Sequence, residues 1–222
     1  MILSKSEYIS SINALLPDNS TQQISPADLR ISLIDLIDSV HNFLDDKEIN
    51  TANFSSPDTR TTRGGDLALS KMHLVGRTSV DNSAYGYYAL GANYTGSENT
   101  ALGSHALGCN LMGTHNVGVG YNSLTNNTTA NQNTAVGHNS LRANTTGAYN
   151  TAFGFHTLYG NQTGQYNTAL GENSMSGSNT GSYNTAVGSR SLYDNAGGAQ
   201  NVASGYQSMF SNTTGSNNTS LG

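Results

Sequence analysis

From Asn82 onward an asparagine returns every 17 residues, at 82, 99, 116, 133, 150, 167, 184, 201 and 218, with no gap or insertion. Four residues after each stands a glycine, from Gly86 to Gly222. Taking the asparagine as position one, eight full repeats and a ninth cut short follow N-T-A-h-G-x-x-S-L-x-x-N-x-T-G-x-x, where h is apolar. Self-similarity at a short fixed period is the signature of units that stack on one another, and it excludes most ordinary globular folds at once. Position four holds Tyr85, Leu102, Val119, Val136, Phe153, Leu170, Val187, Ser204 and Leu221, while position nine is leucine or methionine throughout. A second asparagine at position twelve is replaced once, by Ser178, and the glycine at position fifteen once, by Ala130.

Seventeen residues are too few for two helices and too rich in Gly, Asn and Thr for one. N-T-A-V-G and N-S-L read as two short strands, with a wider turn at A-N-T-T-G where Asn and Gly tolerate positive φ. The expectation is a mainly β protein in which each repeat is one coil of a parallel β-solenoid, or β-roll. Coils rising 4.7 to 4.9 Å each would make a rod about 40 Å long from eight repeats.

Repeated positions then become columns. Asn99, Asn116, Asn133, Asn150, Asn167 and Asn184 are expected to bond amide to amide. Gly103, Gly120, Gly137, Gly154, Gly171 and Gly188 turn the chain where a Cβ would clash. Leu107, Leu124, Leu141 and Leu158 fill the coil together with the position-four residues. Two large apolar side chains per coil is thin against a backbone ordering cost of about 1 to 2 kcal/mol per residue. The small residues at positions three and eight, such as Ala101, Ala135, Ser123 and Ser140, are expected to admit a neighbouring rod, so that several copies pack side by side.

The composition fits such a chain. Of 222 residues 28 are Asn and 25 Gly, only 10% are charged, and Trp is absent. A net charge of −5 argues against a nucleic-acid footprint. The single Cys109 excludes a disulfide framework or a cysteine metal site. No apolar run approaches the ~20 residues that span a bilayer, and the opening MILSKSEYIS lacks the apolar region of a secretory signal. Residues 1 to 81 hold seven Lys/Arg and eleven Asp/Glu, whereas 82 to 222 hold Arg142, Arg190, Glu98, Glu172 and Asp194 alone. Two physically different segments are joined.

In the first, SPADLRISLIDLIDSVHNFLDD opens with a Ser cap, proline at the first helical position and Asp28 in the first turn. Leu29, Leu33, Leu36, Val40 and Phe43 step by four, three, four and three, the spacing of a coiled-coil seam. Ile34, Ile37 and Leu44 widen it, which favours three or more helices or an added helix from SKSEYISSINALLP, with an intramolecular hairpin as the alternative. Residues 1–46 are therefore expected to be a helical module for oligomerisation and anchoring. Residues 47–81, with Pro57, Gly64-Gly65 and a strand over 67–75, are expected to be a neck, and 82–222 the solenoid shaft.

Chemistry-bearing residues are sparse. Glycan-cleaving enzymes need two carboxylates within roughly 5 to 10 Å, and Glu98, Glu172 and Asp194 fall at three different positions of the repeat. No enzymatic activity, cofactor or metal is expected. His105, His115, His138 and His156 scatter over positions six, seven and seventeen and read as surface residues. Tyr149, Tyr166 and Tyr183 share position seventeen, as a stack along the rod or, less favoured, as a grip on sugars. A threonine column at position fourteen is interrupted by Met112 and Gly197, and Asn-x-Ser/Thr sequons follow from the letters of the repeat.

NTALGSHAL, NTAVGHNSL, NTAFGFHTL, NTALGENSM and NTAVGSRSL resemble the head repeats of trimeric autotransporter adhesins, which are left-handed parallel β-rolls in a trimer. They are more similar still to repeats in fibre proteins of tailed bacteriophages, and ISPADLRISLIDLIDSV resembles N-terminal helices of phage virion proteins. The repeat resemblance covers 82–222 and is specific for architecture rather than target. It implies a homotrimer whose N-terminal helices dock on a capsid, portal or tail protein and whose shaft points at a host-surface glycan or protein. It implies a place on the virion, assembled in the host cytoplasm, with neither nucleic acid nor membrane as partner. The 17-residue coil and the missing export signal and barrel anchor set the chain apart from the adhesin head, which stands as the alternative. Because Gly222 closes only the fifth position of a repeat, the natural product is expected to continue into a tip or folding domain.

Overall fold

The computed structural model describes residues 61–69, 79–177 and 179–222. The helical module at 1–46, with its seam at Leu29, Leu33, Leu36, Val40 and Phe43, lies outside the described residues. Ten three-residue strands run from β1 (Thr62–Gly64), β2 (Ser83–Tyr85) and β3 (Thr100–Leu102) to β10 (Thr219–Leu221). They form a single sheet in sequence order, every neighbour parallel. Ser83 pairs with Thr100 and Tyr85 with Leu102, so the register advances by one repeat per strand. The described residues form a parallel β-solenoid of about nine turns with 17-residue coils, some 43 Å along the stack at the usual strand spacing.

Each coil has one strand, at positions two to four. Positions seven to nine, the N-S-L read from sequence as a second strand, form a turn instead. The backbone shows why. Position seven (His105, φ 58), position nine (Leu107, φ 51) and position seventeen (Glu98, φ 58) all take the left-handed conformation, and the pattern recurs in coil after coil. Positive φ bends the chain round the corners while its N–H groups stay aligned with the stack. Thus His105 N–H donates back to Tyr87 O (2.8 Å) and Leu107 N–H forward to Ser123 O (2.9 Å). The glycine at position fifteen and the asparagine at twelve, expected to supply positive φ, do not adopt it.

The interior also differs from expectation. Position nine is fully buried from Leu69 through Leu192, but position four faces outward, with Leu102 50% and Leu170 47% exposed. In a strand, residues two apart share a face, so positions two and four point out and the alanine between them points in. The small residues at positions three and eight therefore do not admit a neighbouring rod. They are buried because only Ala, Ser or Thr fits inside so narrow a coil, and Ser123 Oγ donates to Ala135 O (3.0 Å) across to the next coil. One leucine or methionine per coil is the whole large-apolar core, worth about 1.5 to 3 kcal/mol each.

Asparagine does the rest. Asn99 Nδ2 donates to Asn82 Oδ1 (3.1 Å) and to Gly113 O (2.8 Å), while Asn82 Oδ1 also accepts the Asn99 backbone N–H (3.0 Å). Position twelve forms a second column, Asn110 Nδ2 to Asn93 Oδ1 (2.9 Å), and Asn110 bonds the same Gly113 carbonyl (2.9 Å). The position-fifteen carbonyl thus ties the two amide columns together inside each coil. A buried amide with both hydrogens and its oxygen engaged specifies alignment as apolar packing cannot. Where Ser178 breaks the sequence pattern, Asn179 is buried in place of a position-twelve asparagine and accepts from Asn195 (3.3 Å). Asn161 Oδ1 and Asn179 Nδ2 are left without a partner.

The sheet also reaches into the stretch expected to be a neck. Thr62 pairs with Ser83, a step of 21 residues, and Leu69 joins the leucine column. Leu67 and Leu69, expected to begin a strand, take positive φ as positions seven and nine. The signal was present as D-L-A-L beside Y-Y-A-L, hidden by the longer step and by Thr61 standing where the asparagine belongs. The remainder of that expected strand, beyond Leu69, is outside the described residues.

Candidate interaction surfaces

The coil offers three outward surfaces. The first is the sheet face, where the position-four row of Tyr85, Leu102, Val119, Val136, Phe153, Leu170, Val187 and Leu221 is interrupted by Ser204 alone. Position two, threonine or valine on every coil but that of Ser83, flanks it, for example Thr100, Val117 and Thr134.

The second surface is the corner at positions six, seven and ten. Rings touch from coil to coil along it: Tyr87 to His105 (5.3 Å between centroids), His105 to Tyr121 (6.3 Å), Tyr121 to His138 (5.2 Å) and His138 to Phe155 (5.3 Å). His156 stacks on Phe155 (4.0 Å) and on Tyr159 (4.8 Å), whose hydroxyl accepts from Arg142 (3.0 Å). Asn139 Nδ2 lies 3.0 Å from His156 Nε2. Partial burial, then the neighbouring His138 and Arg142, hold the His156 imidazole below its ordinary 6.5.

The unfolded chain therefore takes up a proton at His156 before the folded chain does, and stability falls as pH drops below about 6.5. Melting temperature at pH 5 should lie below that at pH 7.5. His156→Asn should shrink the difference, since Asn122, Asn139 and Asn173 already occupy position seven with the same positive φ. An equal pH response in the variant would show that another group carries it.

The third surface is polar. Tyr149, Tyr166 and Tyr183 lie ring on ring at 4.6 and 4.9 Å, both pairs within 5° of parallel. Each ring face inside the stack is covered by the next, so the column presents edges. Desolvation there, and then the two neighbouring phenols, push Tyr166 ionisation upward. Glu98 and His115 pair on the same surface at 3.0 Å.

Among the described residues no three His, Cys, Asp or Glu side chains come together as a metal site would need. Glu172 accepts from its neighbour Asn173 (3.1 Å). Several sequon asparagines, including Asn93, Asn127, Asn144 and Asn161, are fully buried ladder members and closed to glycan attachment in the folded state. No described helix is long and apolar enough to cross a membrane. By its architecture the chain is a β-solenoid repeat protein. No family model, curated protein or solved structure matches it.

Proposed function

We propose that the chain is a structural fibre of a tailed-bacteriophage virion, a homotrimer anchored through its N-terminal helices and projecting a repetitive shaft for host attachment. The observation that carries this reading is the row of half-exposed apolar side chains at position four. A soluble single chain rarely leaves so continuous an apolar strip in water, and such strips mark interfaces. A sister chain is the partner that fits, because the row repeats at the coil spacing and only a surface with the same period can match it along its length. The thin interior supports the same reading: one leucine or methionine per coil leaves stability to be gained outside the coil. The resemblance of the N-T-A-h-G repeats to phage fibres supplies the virion setting.

Sedimentation equilibrium should give three chains of 23.3 kDa each. Val136→Asp with Leu170→Asp, which put carboxylates into the row without touching the interior, should yield monomers. A compact wild-type monomer at low concentration would sink the trimer. Antibody labelling tests the setting: the chain should decorate purified phage particles, and decoration of uninfected bacteria would instead favour the adhesin head.

A further inference from the structure

The repeats are an internal alignment, and they separate what stacking demands from what it does not. Positions one, three, five, nine, twelve and fifteen hold nearly one residue type each, and the columns above account for them. Positions six and seven vary freely, since Glu172 with Asn173 and Ser189 with Arg190 occupy them on the same backbone. Yet on each of the five coils that begin at Asn82, Asn99, Asn116, Asn133 and Asn150, at least one of the two carries a ring. Nothing in the stacking requires that run.

The rings follow one another at roughly the coil spacing, close to the advance of one sugar along an extended polysaccharide. Tyr121 is 48% exposed, and it meets His105 edge-on and His138 tilted rather than face to face as in the tyrosine column, so ring surface is left for the C–H faces of pyranoses; Phe155, 46% exposed, has one face covered by His156. Over the five ringed coils the charge on this corner has one sign. Between Asn82 and Gly160 the only carboxylate is Glu98, which pairs with His115 on another surface. The corner itself holds Arg142, over the Tyr159 ring at 5.7 Å, and His105, His138 and His156. Carboxylates bracket that run, Asp66 on the coil before it and Glu172 on the coil after. Burial first, and then His138 and Arg142, disfavour a proton on His156, and a bound anion would offset the two neighbouring charges.

We propose that this corner binds an extended acidic polysaccharide lying along the stack, sugar rings against Tyr87, His105, Tyr121, His138 and Phe155, with a sugar carboxylate at Arg142. The site deepens the attachment role proposed above and rests on that reading for its purpose.

The full-length protein, run in native gels containing polygalacturonate, should be retarded, and a neutral galactan should retard it far less. Because the chain is acidic overall, a polyanion has no general attraction to it. Arg142→Ser and His138→Ser take the serine that the repeat itself uses at those positions, as Ser176 and Ser104, so folding should survive. Together they should weaken binding about tenfold. Tyr166→Gln, on the tyrosine column, should bind as wild type. Equal retardation by the galactan, no retardation by polygalacturonate, or an unchanged double variant would overturn the site. Sedimentation of the same samples separates the two readings: a trimer that fails to bind refutes this site alone, and a monomer that binds refutes the shaft alone.

Discussion

Gly103→Ala should remove about 4 kcal/mol of stability and split the unfolding of the stack into two transitions. Gly103 sits at φ 131, a conformation essentially closed to L side chains, at the corner where the strand ends. A Cβ built there would lie 2.6 Å from the carbonyl oxygen and 2.7 Å from the carbonyl carbon of Gly120 on the next coil. That neighbour is backbone, held by its own bonds to the coils on either side, and it cannot step back without opening the sheet. Stability in a stack is carried by nearest-neighbour coupling, so the damage falls on the junction between two coils and uncouples the parts above and below. Gly197→Ala is the control. Gly197 is exposed, does not take positive φ, and a Cβ built there meets nothing within 4 Å, so the change should stay within about 0.5 kcal/mol. Equal losses at the two sites in urea unfolding would show that conformation at position five is not what matters.

Breaking the first amide column should be nearly as damaging. Asn116 Nδ2 donates to Asn99 Oδ1 (3.1 Å) and Ala130 O (2.9 Å), and its Oδ1 accepts the Asn133 backbone N–H (3.0 Å). Asn116→Ala removes all of these and strands the Asn133 N–H in a dry interior, an expected loss of about 3 kcal/mol. Asn116→Asp keeps the shape yet exchanges two donors for a buried charge facing the Asn99 and Ala130 oxygens. It should cost about 4 kcal/mol at pH 7 and partly recover in acid, when the carboxyl takes a proton. Asn126→Ala, off both columns, should stay within about 0.5 kcal/mol of wild type. If Asn126 and Asn116 proved equally tolerant in thermal melts, the amide column would be ornament and the leucines would hold the stack alone.

Much of this architecture was legible because a 17-residue period leaves few ways to fold. Legibility failed inside the coil. Leu102 and Leu107 are the same residue type, and no local signal distinguishes the half-exposed one from the buried one. The difference follows from which face of a three-residue strand points inward, and that was settled by the alanine between Thr100 and Leu102. The first coil is hidden for a different reason: Thr61 replaces the marker asparagine, and the step to the next coil is 21 residues rather than the regular 17. The ringed corner was invisible column by column, because its rings are divided between positions six and seven and only the fold puts His105 beside Tyr121.

The sequence by itself determined that units stack, in what register, and that asparagine and glycine columns would run along the stack, because an unbroken spacing admits only one alignment of copies. Tertiary structure alone decided which columns face inward and which φ each takes. Leucine at position nine has no intrinsic preference for the left-handed region, where L residues lie about 1 to 2 kcal/mol above the right-handed helix. It is held there because that backbone, and no other, drives its side chain into the centre of the coil while its N–H reaches the next one.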